Sequence, residues 1–245
     1  MTAMLTAPNV EKRPLFAAKD IAKFYQDKNP LNKSFLQPKY DGKNLQDTIK
    51  GLLGEKLAIS ETLTSVIIPA FDIKHFGPTI FSTLKPFNLV DGGVAANNPS
   101  FLAVCEAMKE QKTDFHKIVI LSLGTGAPDA SGRLEVGHGE WGIADWLWQD
   151  DHSCPLLDIL MTAADEMTEM HMSNVFQYSG LEHNYTRLQV ELKPSETMMD
   201  NSSKPNLENL KKIGQHLAEQ NDAKLEALAS RLVDIRRARV AHMSA

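Results

Sequence analysis

The spacing of apolar residues along the chain predicts a series of helices. Apolar positions recur every three or four residues at 17–25, 45–53, 99–108, 156–176, 207–217 and 225–235, and a shorter helical pattern covers 141–148. Gly54 follows the second of these segments at the place of a C-terminal cap. The residues expected on the inner faces at 99–108 and 156–176 are Phe101, Leu102, Cys105 and Met108 in the first, and Leu156, Ile159, Leu160, Ala163, Met167, Met170 and Phe176 in the second.

A second pattern, in which apolar residues run together or alternate with polar ones, predicts the strands. Short apolar runs occur at 66–68, 70–73, 79–81 and 87–90, and residues 185–192 alternate, with Thr186, Leu188, Val190 and Leu192 inward. The unbroken run at 117–123 is typical of a strand covered on both faces, as in a parallel sheet. Together with the strand at 87–90 and the helix between them, it predicts a βαβ unit. We therefore expect an α/β fold, with a central parallel or mixed sheet and helices on both faces.

Composition and charge narrow the classes of protein. The 26 basic and 31 acidic residues give a formal net charge of −5, and 42% of the residues are apolar, so a folded core is expected and nucleic acid is not an expected partner. No run of 18 apolar residues occurs, and residues 1–7 lack the basic start of a signal peptide. With only two cysteines, Cys105 and Cys154, a reducing compartment is expected, and we take it to be the cytoplasm. A single bridge between the two stays open.

Candidate chemistry is expected where strands end, because open α/β sheets place their sites there. Asp91 follows the strand at 87–90 and is followed by Gly92 and Gly93, whose backbones can approach a ligand closely or take a positive φ. A carboxylate at this point is a candidate general base, and the alternative is that Asp91 starts a turn. The other strand end, Gly124-Thr125-Gly126, has half of a dinucleotide-binding pattern, and a plain turn is expected there.

No metal or cofactor is expected. Potential metal ligands cluster only in polar loops that we expect to be solvated surface, namely His138 with Glu140, and Asp150, Asp151 and His152 with Cys154. On the helix at 156–176, His171 is expected to be a hydrogen-bonded structural residue. The basic residues near the end of the chain suit the last turns of a helix, with a membrane-surface role as the alternative; they are Arg231, Arg236, Arg237 and Arg239.

Several segments, in order along nearly the whole chain, resemble those of plant patatin-like lipid acyl hydrolases. They include Leu5-Thr6-Ala7-Pro8-Asn9, residues 13–21 and 38–43, Phe71-Asp72-Ile73-Lys74, residues 87–99, Leu121-Ser122-Leu123-Gly124-Thr125-Gly126, Asn184-Tyr185 with Arg187, and residues 206–210. The resemblance implies a patatin-like phospholipase fold and hydrolysis of acyl esters of phospholipids and galactolipids by a Ser–Asp dyad without histidine. Asp91, Gly92 and Gly93 would form the family's Asp-Gly-Gly motif, with Asp91 as the proton acceptor.

The resemblance also implies two features that the printed sequence lacks. The family uses a serine on a Gly-x-Ser-x-Gly turn and a glycine-rich oxyanion loop. No two of the 14 glycines are four residues apart and no three are adjacent, so neither motif occurs here. We expect a single patatin-like domain over 1–245, truncated at its N-terminus, with a deletion near 82–86 and C-terminal helices over 205–240.

These observations leave three hypotheses. In the first, the chain is a patatin-like acyl hydrolase by descent, with lipid acyl esters as the substrate class, and the 245 residues are an incomplete or inactive form because the nucleophile is absent. This hypothesis predicts that upstream coding sequence contains the glycine-rich loop and the serine turn. In the second, it is a non-catalytic protein used for storage, lipid binding or association with a full-length relative. In the third, another serine, such as Ser100 or Ser122, takes the role of the nucleophile, although neither stands on a nucleophile turn.

Overall fold

A computed structural model of the chain describes residues 7–9, 11–17, 43–54, 61–80, 89–109, 114–129, 134, 141–148, 154–197, 201 and 203–243. The helix predicted at 17–25 lies outside the described residues, apart from its first residue. The predicted deletion near 82–86 lies outside them entirely. The chain divides into two compact units, Met1–Ile67 with Met199–Lys211, and Ile68–Met198 with Lys212–Ala245.

The first unit contains a helix at the place that the apolar spacing predicts. Helix α1 covers Lys43–Leu53. It ends at Gly54, whose φ of +79° and hydrogen bond to the carbonyl oxygen of Lys50, at 2.9 Å, are those of a C-terminal cap. The predicted helix and its cap are confirmed.

The remaining elements follow in chain order: β1 Pro69–Asp72, β2 Gly77–Ile80, β3 Leu89–Asp91, α2 Gly93–Ala96, α3 Ser100–Lys109, β4 Ile120–Leu123, β5 Ala127–Pro128, α4 Ile143–Leu147, α5 Pro155–Tyr178, β6 Tyr185–Leu188, β7 Glu191–Leu192, α6 Pro194–Thr197, α7 Lys204–Gln220 and α8 Asp222–Met243. Short 3₁₀ helices at Phe115–Lys117 and Glu182–Asn184 precede β4 and β6. The predicted helices at 99–108, 141–148, 156–176, 207–217 and 225–235 are confirmed.

The described strands form three small sheets. Strand β1 lies between β2 and β3 and is antiparallel to both, whereas β4 pairs with β6 and β5 with β7 in parallel. Parallel strands joined through helices, beside an antiparallel sheet, confirm the predicted α/β class. The predicted single run at 185–192 is divided into β6 and β7, and residues 66–68 are not a strand.

Two details of the strand prediction are wrong. Among the described residues, β3 and β4 do not share a sheet, so the strands before and after α3 do not form a βαβ unit. Strand β4 is not covered on both faces, because the side chains of Leu121 and Leu123 are 42% and 63% exposed. An unbroken apolar run predicts that both faces of a strand are buried. It does not show which elements pack against each face.

The core of the second unit forms around Val104 of α3 and Met172 and Phe176 of α5, all at most 5% exposed. Of the inner-face residues predicted for these two helices, only Phe176 is buried, and Phe101, Met108 and most of the α5 set are exposed. The physical reason is that both helices carry apolar residues on every side, so the sequence alone does not select the face that packs. Within the described residues, no helix has the length and apolar character to cross a membrane.

Candidate functional site

Asp91 is the last residue of β3 and lies opposite Ala70 of β1. Its side chain is exposed, and Oδ1 accepts a hydrogen bond from the backbone N–H of Gly93 at 2.7 Å. No other hydrogen bond or ion pair of this carboxylate occurs within the described part of the chain, so Oδ2 has no partner there. The Gly93 contact is that of an aspartate that starts a turn, which confirms this interpretation and leaves the catalytic role a prediction.

Gly92 is required by a close approach of two backbone segments. A β-carbon on Gly92 would lie 2.1 Å from the carbonyl oxygen of Pro69 and 2.6 Å from its carbonyl carbon. The φ of Gly92 is −64°, so the expectation of a positive φ is wrong at this position. The close approach at Gly92 is to the chain's own strand β1, and the expected approach to a ligand stays a prediction. Asp91 is thereby fixed relative to β1 through its neighbour.

Gly93 stands directly beneath the carboxylate. A β-carbon there would lie 3.0 Å from Oδ1 of Asp91 and 3.0 Å from Cε of Met161 in α5. A larger residue would displace Met161 or the Asp91 carboxylate. The carboxylate accepts a hydrogen bond from the backbone N–H of Gly93. The two glycines therefore have different roles: Gly92 seats the segment against β1, and Gly93 leaves room for the carboxylate.

A pair of buried hydroxyl groups lies in the segment that follows and in strand β4. Ser100, 8% exposed, starts α3, and Ser122, 5% exposed, is in β4; their Oγ atoms are 2.8 Å apart. The Oδ1 atom of Asn98 accepts hydrogen bonds from Oγ of Ser100 at 2.6 Å and from its backbone N–H at 3.1 Å. Both hydroxyls are occupied within the protein.

Arg187 of β6 extends this polar network to α5. Its Nη1 donates to Oγ of Ser122 at 2.9 Å, and its Nη2 lies 3.0 Å from each carboxylate oxygen of Asp165. Glu169, one turn further along α5, accepts a hydrogen bond from the hydroxyl of Tyr185 at 2.5 Å. Burial, the hydrogen bond to Glu169 and the charge of that carboxylate raise the pKa of Tyr185.

No pattern in the sequence predicts the contacts of Arg187 with Ser122 and Asp165. The signal for them was Arg187, a cation in the middle of an alternating strand, since an arginine in a largely buried position requires a partner. Its side chain is 13% exposed and that of Asp165 is 20% exposed. The partner is 22 residues away along the chain, so spacing could not identify it.

The chain is similar over most of its length to curated plant proteins, although no protein-family model matches it. It is 34% identical to Patatin-like protein 2 of Arabidopsis thaliana, over 92% of this chain and 72% of that protein. It is 32% identical to Patatin-like protein 2 of Oryza sativa subsp. japonica, over 96% of this chain and 75% of that protein. The chain belongs to the patatin-like protein family.

One difference from its patatin-like relatives follows from lengths alone. The stretch matched to the Arabidopsis protein covers 293 residues, which exceeds the 245 residues of this chain. The relative therefore contains internal residues that have no counterpart here. Their position is not given by these lengths, so the deletion expected near 82–86 stays a prediction. A further patatin relative, from Solanum tuberosum, is 31% identical over 90% of this chain and is named "Probable inactive patatin-3-Kuras 1".

The two glycines after β4, Gly124 and Gly126, lie against side chains of this patatin-like chain. A β-carbon on Gly124 would lie 2.3 Å from Oε1 of Gln189, and the same oxygen accepts the backbone N–H of Gly126 at 2.8 Å. A β-carbon on Gly126 would lie 2.2 Å from Cδ1 of Leu192. The two glycines therefore make room for the side chains of Gln189 and Leu192. Residues 124–126 join β4 to β5 without a turn, so the plain turn expected there is wrong, and the absence of a dinucleotide loop stays a prediction.

The other candidates have mixed outcomes. His171 is exposed, and its ring centroid is 6.5 Å from that of Phe101, so the predicted hydrogen-bonded structural role is wrong. Arg231 donates to Oδ1 of the fully buried Asn184 and so has a structural contact. Cys105 and Cys154 are both free, which answers the open question of a bridge. The following potential metal ligands lie outside the described residues: His138, Glu140, Asp150, Asp151 and His152.

Proposed function

We propose that this chain is a patatin-type lipid acyl hydrolase by descent, in which Asp91 has the position of the dyad's proton acceptor. The supporting observation is the geometry of the carboxylate: Oδ1 is held by the N–H of Gly93 at 2.7 Å while Oδ2 has no partner among the described residues. A general base needs such an arrangement, fixed in direction on one side and open to a proton donor on the other. The substrates proposed are acyl esters of phospholipids and galactolipids.

We also propose that the 245 residues are inactive by themselves. An acyl enzyme requires a hydroxyl group within hydrogen-bond reach of the base, roughly 2.6–3.2 Å, and a loop that stabilises the oxyanion. The printed sequence contains neither the Gly-x-Ser-x-Gly turn nor three adjacent glycines. Asp91 then has no proton to accept, and an ester bound nearby would not be attacked.

Replacement of the nucleophile by another serine is not supported. Ser100 and Ser122 are buried, and their hydroxyl groups bind each other at 2.8 Å. The Arg187 guanidinium donates a further hydrogen bond to Oγ of Ser122. Neither serine has a hydrogen bond to Asp91 among the described residues. A buried hydroxyl already used in this way has no access to an ester carbonyl.

The second candidate function is non-catalytic: storage, lipid binding or association with a full-length relative. It is favoured by apolar side chains that the described structure leaves uncovered along α5, such as Leu157 and Leu160, which are 52% and 59% exposed. The name of the potato relative, which calls that protein inactive, is consistent with this function. The two free cysteines support the cytoplasm as the proposed location.

Intact-mass spectrometry after treatment with a fluorophosphonate, which bonds to an activated serine, tests the first proposal. Circular dichroism first establishes that the 245-residue chain is folded. The Asp91→Asn variant and the Ser122→Ala variant are treated in parallel. We expect no adduct on any of the three chains.

A single adduct that disappears in Asp91→Asn would contradict the inactive form and would show that another serine has been recruited. Loss of the adduct in Ser122→Ala with an unchanged circular dichroism spectrum would identify that serine. Addition of upstream coding sequence that carries the Gly-x-Ser-x-Gly turn is expected to produce an Asp91-dependent adduct. If it does not, the assignment of Asp91 as the proton acceptor is wrong.

A further inference from the structure

The turn between β1 and β2 presents apolar side chains to solvent. In this segment, residues 73–76 and here called the hairpin tip, Ile73 is 51% exposed and Phe76 is 85% exposed. Phe76 has a φ of +54°, a left-handed conformation that is uncommon for a bulky residue. A solvated turn is normally built from small or polar residues, so a phenylalanine at this position requires an explanation.

The conformation of the hairpin tip is stabilised by hydrogen bonds to the buried Asp72 carboxylate. Asp72 is 3% exposed, and its Oδ1 accepts the backbone N–H groups of Lys74 at 2.9 Å and His75 at 3.2 Å. Its Oδ2 lies 2.8 Å from Nδ1 of His75. The ring of Phe76 packs edge-on against that of Phe71, with centroids 6.0 Å apart. The exposed ring is therefore fixed in place rather than free to fold back.

Size and charge favour a lipid surface as the occupant. The area of two apolar side chains on a turn is far smaller than the roughly 800 Å² that each partner buries in a specific protein interface. They match the boundary between headgroups and acyl chains, where amphipathic elements insert by about 5–10 Å. Between them is Lys74, which is exposed and has no ion pair within the described residues. It places a cation at the tip of a chain whose net charge is −5.

We propose that the hairpin tip is a membrane-contact element that inserts Phe76 and Ile73 into the surface of an anionic bilayer, with Lys74 paired to lipid phosphate. The proposal rests on the proposed function for its substrate class, since lipid acyl esters are met at such a surface. It names a contact site away from Asp91, so it requires no chemistry at the dyad.

Co-sedimentation with vesicles tests the contact. The vesicles consist either of phosphatidylcholine alone or of phosphatidylcholine with a minor fraction of phosphatidylserine. Phe76→Ser is expected to lower the partition coefficient about tenfold on both, because the phenylalanine ring would no longer be buried among the acyl chains. Lys74→Gln is expected to lower it about fivefold on the anionic vesicles only. The matched control is Tyr178→Ser, because Tyr178 is 96% exposed at the end of α5 and is expected to contribute nothing.

A second measurement does not depend on loss of binding. Phe76→Trp is expected to show a blue-shifted emission and quenching by brominated lipid that Tyr178→Trp lacks, with the three native tryptophans as a common background. The proposal is overturned if the parent chain does not sediment, if Phe76→Ser binds as the parent does, or if both tryptophan variants respond alike. A protein partner at the tip instead of lipid would give the first of these outcomes.

Failure of this inference and failure of the proposed function are distinguishable. Asp91→Asn is expected to bind vesicles as the parent chain does, because the two sites are separate. If the chain extended by the upstream coding sequence forms an Asp91-dependent adduct, while neither it nor the 245-residue chain binds vesicles, the hairpin tip alone is refuted. A chain that binds through Phe76 and never forms an adduct, even with the upstream coding sequence, would refute the proposed role of Asp91 alone.

Discussion

Gly92 lies so close to the backbone of Pro69 that a β-carbon on Gly92 would be 2.1 Å from the Pro69 carbonyl oxygen. Contacts below 3.0 Å do not occur for real β-carbons, and a carbonyl group within a paired strand cannot rotate away. The position of Asp91 therefore depends on the absence of a side chain on its neighbour. The motif's first glycine is explained by packing, whatever the chemistry at Asp91.

Gly92→Ala is expected to destabilise the second unit by about 1–3 kcal/mol, since overpacking forces the backbone to shift. Chemical unfolding followed by circular dichroism measures this change. The matched control is Gly214→Ala, because Gly214 is inside helix α7 and a β-carbon there would meet nothing within 4 Å. That variant is expected to gain roughly 0.4–1 kcal/mol. If the two variants unfold alike, the close approach to Pro69 is not the reason for Gly92.

The ion pair of Arg187 with Asp165 gives a second prediction. Arg187→Met is expected to cost roughly 2–4 kcal/mol of stability, because it leaves a largely buried carboxylate and the Ser122 hydroxyl without their donor. A double-mutant cycle with Asp165→Asn is expected to give a coupling energy of about 1–3 kcal/mol.

An exposed pair serves as the control for this cycle. Arg237 and Asp234 are 3.5 Å apart on α8 and are 78% and 74% exposed. Their coupling is expected to be at most about 0.5 kcal/mol, because solvent screens exposed charges. A coupling of similar size in both cycles would contradict the structural role assigned to Arg187.

Helix α1 and the Asp91-Gly92-Gly93 segment show what the sequence could predict. Both depend on neighbours in the chain: α1 on apolar spacing and a terminal glycine, and the segment on a carboxylate that turns back to the N–H two residues later. Such local features follow from residue types at fixed separations. They were predicted correctly as structure, while the chemistry assigned to Asp91 rests on resemblance alone.

The buried faces of α3 and α5 show what it could not predict. Val104 and Met172 are buried, and Met108 and Met170 are about half exposed, although all four are apolar. The choice among them depends on distant partners such as Phe115 and Tyr185, whose rings pack on Phe176. No period within a single helix contains that information. Strand pairing also depends on distant parts of the chain, which is why β3 pairs with β1 and does not join the sheet of β4.

Asp72 gives a prediction about pH. The hydrogen bond from His75 lowers the pKa of this carboxyl below its ordinary value of 3.8, against the opposing effect of burial. A carboxyl with a lowered pKa in the folded state stabilises the fold above about pH 4, and this contribution disappears as the pH falls through the lowered pKa. Asp72→Asn is therefore expected to unfold at lower urea concentration at neutral pH and to approach the parent chain in acid.

Urea unfolding at several pH values between neutral and strongly acidic measures this difference. The same measurement on Asp234→Asn, on the exposed side of α8, serves as the control. A gap between Asp72→Asn and the parent that is constant over the whole range would show that the contact acts through shape rather than charge.

Asp91 gives the last prediction, which separates its chemistry from its structural contact. Asn in place of Asp91 retains an oxygen that can accept the N–H of Gly93, so Asp91→Asn is expected to change the free energy of unfolding by less than about 0.5 kcal/mol. Asp91→Ala removes that acceptor and is expected to cost about 1 kcal/mol.

Thermal and urea unfolding of the two variants measure these changes. If Asp91→Asn were as destabilised as Asp91→Ala, the charge of the carboxylate would be structural, and the Asn variant could no longer isolate a proton acceptor in the fluorophosphonate experiment. If Asp91→Asn is as stable as the parent chain, the fold around Gly92 and Gly93 is the same in both. Loss of an adduct in that variant then reports the chemical role of the carboxylate.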